Sequence, residues 1–334
     1  MKLRVGIVGL GGQWESRYLP ALRSLADRFE VRGICEQVAH RAERAAAEVS
    51  AVPVDGYRAL ASRDDIDAIL YLSDQWYGAA PILAACDFGK AVYSAISFPV
   101  EDDEVQLLRR RVEESGIAFM AELPRRHAPA TIRLKELIAT RLGQPRMLFC
   151  HRRVPLSVAA AAPPRDRASE ARDLMELVDW CRYAAGTEPT SVVAVRHAET
   201  PGAKIDDYQM MSLDFSQTGR PGDGAIAQIS CGYYMPRQWE EAVGFRPPPA
   251  LQVVCENGIA FIDLPSSLVW FDTAGRHQES LESERPVGEH MLVQFHRKVT
   301  SLVRAVSGLD DSLRAMRIVQ AAATSQTEGR RVSL

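Results

Sequence analysis

Apolar and polar positions follow two different rhythms along this chain, and the change falls near residue 120. Leu3-Arg4-Val5-Gly6-Ile7-Val8-Gly9 is a short, largely β-branched run that ends in glycine, the pattern of a buried strand. Glycine-rich turn residues follow, then a helical stretch through Leu22 and Leu25. Residues 30–35 read as a second strand, and residues 40–49, rich in Ala, Arg and Glu, as a helix. Residues 66–72 form a third strand, introduced by the charged Arg63-Asp64-Asp65. Residues 81–87 predict a helix that stops at Gly89, a residue suited to the left-handed position just past a helix. A strand at 91–93, a helix at 102–114 and a strand at 117–121 complete this part. Strands taking turns with helices at this spacing predict a parallel sheet with helical crossovers.

After residue 121 the order changes. Residues 129–140 are an amphipathic helix, 146–153 a strand, and 169–185 a helix, with an alanine-rich loop at Ser157–Pro164 between the last two. Strands then follow one another, at 191–198, 208–215, 225–233, 251–255, 259–264 and 268–271, joined by turns such as Glu256-Asn257-Gly258. Successive strands joined by turns predict a largely antiparallel sheet. Two helices, 290–306 and 312–327, close the pattern.

Composition narrows the class of protein. A chain of 334 residues suggests about two domains at roughly 150 residues each. The formal net charge of -3 argues against a nucleic-acid binder, which carries a strongly basic face. The longest apolar runs, such as 68–72, fall far short of the roughly 20 residues of a membrane-spanning helix. Met1-Lys2-Leu3 leads straight into a strand pattern without an apolar signal region, which predicts a cytoplasmic protein. The six cysteines are scattered through apolar stretches with no C-x-x-C pair, so they read as buried free thiols and not as zinc ligands. No metal site is predicted, since His290 and His296 on the first closing helix are spaced too widely for a two-histidine pair.

The first strand runs into Gly9-Leu10-Gly11-Gly12-Gln13-Trp14, which carries the first two glycines of the dinucleotide motif G-x-G-x-x-G. Gly9 suits the tight turn and Gly11 the close approach of backbone to a pyrophosphate lying at the start of the next helix. Trp14 stands where the motif has Gly or Ala, and a one-residue insertion in the loop would move it out of that contact. The second strand ends Ile34-Cys35-Glu36, an acidic residue at the distance that suits ribose hydroxyls, while Arg41 suits a 2′-phosphate. The predicted cofactor is therefore NAD or NADP, held by Gly9, Gly11, Gly12, Gln13, Trp14, Glu36 and Arg41. The expected architecture is an α/β N-terminal Rossmann domain with a parallel sheet over 1–121. An α+β C-terminal domain with a large, mostly antiparallel open sheet follows over 122–334, its last helices free to pack back on the first domain.

Several stretches together resemble the Gfo/Idh/MocA oxidoreductases, the family of glucose–fructose oxidoreductase and the inositol dehydrogenases. They are Gly6-Ile7-Val8-Gly9-Leu10-Gly11-Gly12 with Tyr18-Leu19-Pro20-Ala21-Leu22, then Asp67-Ala68-Ile69-Leu70, then Gly89-Lys90-Ala91-Val92. Leu123-Pro124-Arg125-Arg126-His127-Ala128-Pro129 and the tail Gly329-Arg330-Arg331-Val332 extend the likeness over nearly the whole chain. The resemblance implies hydride transfer between NAD(P) and a sugar, inositol or related polyol bound at the domain junction. It also implies a homodimer or homotetramer built through the C-terminal sheet.

The family's catalytic positions are changed. Its G-K-x-V-x-C-E-K-P lysine falls on Ile96 without a gap, or on Phe98 when Pro99 is aligned, and neither side chain moves a proton. Its D-x-G-x-H-x-x-D helix motif, aligned on Asp179, turns the histidine into Glu176 and the first aspartate into Arg172. Its T-P pair after the third strand, which lies near the nicotinamide in the family, becomes Ser73-Asp74, so the resemblance adds Ser73 to the cofactor-binding residues. Glu176 and Asp179 share a helix face, and Arg172 lies one turn before Glu176. Three readings follow. One is an active dehydrogenase with Glu176 as base, helped by Asp179, and with Arg125, Arg126 and Arg172 orienting the substrate. Another is an inactive binding or scaffold protein that keeps the fold. The third is a lyase or isomerase that uses NAD transiently. Glu176 paired with Arg172 on a helix surface is the bland alternative. Other side chains carry weaker signals. Lys204 before Asp206-Asp207 is a spare lysine, Tyr233, Tyr234, Arg237 and Trp239 suit sugar stacking or simple packing, and His151 reads as a solvated strand residue.

Overall fold

The structure, a computed structural model, describes residues 1–73, 77–95, 102–155, 167–197, 208–216, 223–235, 248–263, 266–281, 285–301 and 307–334. Chain contacts divide it into two units, Met1–Pro124 with Glu284–Arg314, and Arg125–Ser283 with Ala315–Leu334.

In the first unit the apolar runs become six parallel strands. They are β1 (Leu3–Val8), β2 (Phe29–Cys35), β3 (Val52–Pro53), β4 (Ala68–Tyr71), β5 (Ala91–Ser94) and β6 (Phe119–Ala121), in the order β3-β2-β1-β4-β5-β6. All four residues of β4 and of β5 are buried, as a strand covered on both faces requires. One face carries α1 (Leu19–Ser24) and α8 (Val287–Thr300), whose Leu22, Met291, Leu292 and Phe295 pack with Val5, Ile7 and Tyr93. The other carries α4 (Ala80–Asp87), α5 (Asp102–Ser115) and the first turns of α9 (Ser307–Glu328). Their Ile82, Leu108, Val112 and Leu309 pack with Val8, Ile69 and Phe119. The short helices α2 (Ala39–Glu48) and α3 (Tyr57–Ala61) complete this unit.

The second unit begins with a 3₁₀ turn (Pro124–His127), α6 (Pro129–Leu137) and the long strand β7 (Pro145–Pro155), followed by α7 (Arg167–Ala185). Strands β8 (Ser191–His197), β9 (Tyr208–Asp214), β10 (Ile226–Met235), β11 (Leu251–Cys255), β12 (Ile259–Asp263), β13 (Ser267–Asp272), β14 (Gly275–Ser280) and β15 (Val332–Ser333) follow. With β7 they form a nine-stranded sheet in the order β14-β13-β12-β11-β7-β10-β9-β8-β15. Every pairing in it is antiparallel except the parallel β10–β7 pair at its centre. Side chains alternate between faces at period two. Leu148, Cys150, Ala227, Ile229, Leu251, Val253, Ala260 and Ile262 are buried on one face, where α7 packs. The opposite face leaves Met147, Ile226, Val193, Val195 and Phe271 exposed.

Four elements escape the sequence pattern. β14 reads Gly-Arg-His-Gln-Glu-Ser and has no apolar position to signal it. β3 and β15 are two residues each, and α3 is five, too short for any periodicity. All six cysteines are free and buried. His151 differs from its expectation. It is half-buried, with Nδ1 2.7 Å from Ser230 Oγ on the neighbouring strand, and burial together with Arg153 lowers its pKa. No described helix is long and apolar enough to cross a membrane. The Ser157–Pro164 loop, Asp74, Ile96, Phe98, Lys204, Asp206, Asp207, Arg237 and Trp239 lie outside the described residues, as do the side chains of Tyr233 and Tyr234.

Candidate functional site

The order β3-β2-β1-β4-β5-β6 reverses direction between β1 and β4. In an open parallel sheet, ligands bind outside the carboxyl ends of the strands at that switch point. The glycine loop leaves β1 there. Gly9 and Gly11 both adopt left-handed backbone, with φ of 66° and 63°. A Cβ on Gly9 would lie 2.5 Å from the Ser73 carbonyl oxygen, and one on Gly11 would lie 3.0 Å from that of Leu72. Both glycines are therefore required by the end of β4, before any ligand is considered. Gly12 differs: nothing lies within 4 Å of where its Cβ would stand, so its backbone faces open space.

Gln13 caps the next turn. Its carbonyl accepts from the Arg17 and Tyr18 amides at 3.0 and 3.3 Å, and its Oε1 accepts from Arg17 Nη1 at 2.8 Å. The turn, Trp14–Tyr18, has π geometry, the signature of one residue inserted into a helix. Trp14 opens this turn and lies in the apolar core, 4% exposed, in one cluster with Tyr18 and Leu22. Its indole N–H makes no hydrogen bond among the described residues.

Glu36 follows β2 and points back at the loop. Its Oε2 accepts from the Leu10 amide at 2.8 Å and its Oε1 from the Gln37 amide at 3.0 Å. Two backbone donors fix the carboxylate in place, so its position is set in advance. A pocket beside the loop is lined by Gly11, Gly12, Trp14 and Glu15 and, from α2, by Arg41 and Arg44. Arg41 Nη2 reaches the Gly11 carbonyl at 3.5 Å, and Arg44 pairs with Glu15. Ser73 stands just past β4 and contributes backbone and Cβ to the wall against Gly9.

The remaining candidates belong to the second unit. Arg125 and Arg126 sit on the 3₁₀ turn before α6, and Arg172, Glu176 and Asp179 lie on α7. Asp179 is 1% exposed. Its Oδ2 accepts from Arg126 Nε at 2.6 Å, its Oδ1 pairs with Arg126 Nη2, and Arg182 Nη1 approaches that oxygen at 3.3 Å. Arg182 spends its other edge on Glu188, at 2.6 and 2.7 Å. The guanidinium groups of Arg125 and Arg126 also stack over Trp180 and Tyr183, at 5.1 and 5.2 Å from the ring centroids. Glu176 lies 3.4 Å from Arg125 Nε, a pairing across elements. Its side chain keeps 23% exposure against 2% for Asp179, so of the two carboxylates Glu176 is the one open to a small molecule. Arg172 is half-buried.

Two features were not read from the sequence. Arg182 lies three residues beyond Asp179 on the same helix, a spacing that signals the pair. Asp173 pairs with Arg152 of β7, and nothing local announces that contact.

Residues 3–94 match the model of the oxidoreductase family Gfo/Idh/MocA, described as an NAD-binding Rossmann fold. Over these residues the chain is similar to an NAD-binding Rossmann domain of that family, in agreement with the resemblance read from the sequence. Solved structures share the fold over the full length, among them the following three. Myo-inositol 2-dehydrogenase from Lactobacillus plantarum is 18% identical, with all of both chains covered and a TM-score of 0.79. The aldose-aldose oxidoreductase from Caulobacter crescentus, complexed with glycerol, is 15% identical, again with all of both chains covered and a TM-score of 0.83. An oxidoreductase from Agrobacterium radiobacter in complex with NAD+, L-tartaric acid and magnesium is 16% identical, covering 100% of this chain and 98% of its own, with a TM-score of 0.81. The curated protein sequences gave no match.

Proposed function

We propose that this protein is a dehydrogenase of a sugar, inositol or related polyol that uses NAD in preference to NADP. The observation that carries the reading is the glycine loop: Gly12 faces open space at the sheet's switch point, with Glu36 already held beside it by two backbone amides. Gly11 and Gly12 would hold the pyrophosphate and Glu36 the adenosine ribose hydroxyls. When bound, NAD supplies the acceptor for a hydride leaving the carbinol carbon.

A fixed carboxylate at the ribose disfavours the 2′-phosphate of NADP by like-charge repulsion, while Arg41 and Arg44 favour it. Glu36 wins because it is anchored, whereas Arg44 is already paired with Glu15. Calorimetric titration is expected to show NADH binding at least tenfold tighter than NADPH, a difference of about 1.4 kcal/mol. Glu36→Ala should narrow that ratio. Binding of neither nucleotide would end the dehydrogenase reading and the NAD-using lyase reading together, and would leave a binding or scaffold protein.

The Asp179 carboxylate has both oxygens committed to arginines, so it serves as a clamp that fixes Arg126. Glu176 is the group we assign to take the hydroxyl proton, with Arg125, Arg126 and Arg172 orienting the substrate oxygens. Glu176→Gln is expected to lower kcat for polyol oxidation by about 10²–10⁴-fold, the usual range for a general base, with NADH affinity unchanged. A variant that keeps full kcat would remove Glu176 from the chemistry.

The exposed apolar strip on the open face of the nine-stranded sheet, with Met147, Ile226 and Val195, is proposed to be covered by a second copy of the chain. Light scattering should give the mass of two or four chains, and a monomer at micromolar concentration would sink that assignment.

A further inference from the structure

Glu122 stands one residue past β6, with 7% of its side chain exposed, and it gathers three partners. Oε1 meets Arg17 Nη2 at 2.6 Å. Oε2 accepts from the Tyr18 hydroxyl at 2.6 Å and from the Tyr93 hydroxyl at 2.5 Å. Arg17 and Tyr18 are the last two residues of the π-turn that follows the glycine loop. Tyr93 belongs to β5 and is wholly buried, with its ring edge-on to Phe295 of α8 at 5.6 Å. Burial and the neighbouring Glu122 charge raise the Tyr93 phenol well above its ordinary pKa, so it stays protonated and donates. The Glu122 amide donates to the Ser94 carbonyl at 2.8 Å, which ties the carboxylate to the ends of β5 and β6.

We infer that Glu122 is a positioning residue for the nucleotide loop, bolting the inserted π-turn Trp14–Tyr18 to the ends of β5 and β6. The inference rests on the cofactor reading above. In a three-glycine motif, close helix–strand packing holds the helix start against the sheet. Here Trp14 replaces that glycine, the turn is wider by one residue, and the indole N–H goes without a partner among the described residues. The turn is held instead by a carboxylate that takes one charged and one phenolic donor from its last two residues. From the other side, Gly288 of α8 packs on Arg17, since a Cβ there would lie 2.9 Å from Arg17 Cγ. The position of the Gly12 backbone relative to the strand ends then depends on Glu122, although Glu122 lies outside the loop in sequence.

The test compares Glu122→Gln, Tyr18→Phe and Tyr93→Phe with the wild type. Tyr93→Phe removes a bond on the strand side, while the other two loosen the turn. In cofactor-free protein, amide exchange over residues 10–24 is expected to speed up at least fivefold in Glu122→Gln and Tyr18→Phe, and to stay within twofold of wild type in Tyr93→Phe. NADH dissociation constants, measured well below each melting temperature, are expected to rise about tenfold in Glu122→Gln and to stay within twofold in Tyr93→Phe. If all three variants melt earlier but leave loop exchange and NADH affinity unchanged, Glu122 is an ordinary buried ion pair and the inference fails. If wild-type protein binds no NADH, the cofactor reading fails on its own account. The exchange measurement still decides whether Glu122 holds the turn.

Discussion

An Asp179→Ala variant is expected to lose about 3–5 kcal/mol of folding stability, because it removes one partner of a buried, doubly paired charge. Asp179 is 1% exposed and is met by Arg126 and Arg182, the latter with a side chain only 2% exposed. Without the carboxylate, the buried guanidinium of Arg182 loses one of its charged partners, and Arg126 loses two bonds at once. Urea unfolding of the isolated variant, compared at unchanged m-value, measures the loss. Glu176→Gln provides the control on the same helix. Its side chain is part-exposed, with Arg125 at the edge of hydrogen-bonding range, so its stability should stay within about 0.5 kcal/mol of wild type. The pair of variants separates the two carboxylates. Asp179 would show its effect in stability, and Glu176 in turnover. A loss below about 1 kcal/mol for Asp179→Ala would mean that the charge pair is offset by water entry, and that Arg126 finds its position by stacking on Tyr183 alone.

The division between legible and illegible features follows the range of the interactions. β1, β4 and β5 were readable because strands buried on both faces are written as unbroken apolar runs. The glycine loop was readable because left-handed backbone next to the Ser73 carbonyl admits almost nothing else at Gly9. The π-turn was half-readable: Trp14 in place of glycine showed that the motif was disturbed, and the insertion that resolves it needed three-dimensional geometry. Glu122 was not readable at all. Its partners Tyr18 and Tyr93 lie 104 and 29 residues away in sequence, and no local pattern joins them. On α7 the sequence placed Glu176 and Asp179 on one face, which is correct as helix geometry. Only the burial of Asp179 between Arg126 and Arg182 shows how different the two environments are. β14 was invisible for the opposite reason: an edge strand made of polar residues and glycine has no hydrophobic period to detect.

Gly12→Val is expected to weaken NADH binding by thirtyfold or more, roughly 2 kcal/mol, while leaving the melting temperature within about 1 °C of wild type. The argument is local. Gly12 has no atom within 4 Å of its would-be Cβ and does not adopt left-handed backbone, so the folded protein gains no clash and little strain from a side chain there. The new branched group would project into the space beside Gly11 and Trp14, where a pyrophosphate must approach the backbone. Gly9→Val reverses the balance. Left-handed backbone costs an L-residue about 1–2 kcal/mol before any contact is counted. The Cβ would also stand 2.5 Å from the Ser73 carbonyl oxygen, so the segment just past β4 must shift and the centre of the sheet loses stability. The two glycines, three residues apart, should therefore separate folding from ligand binding, with Gly9 showing its effect in the melt and Gly12 in the titration. If Gly12→Val binds NADH as tightly as wild type, the phosphates do not lie over this loop. The open space beside Gly12 would then have to be assigned to something other than a dinucleotide.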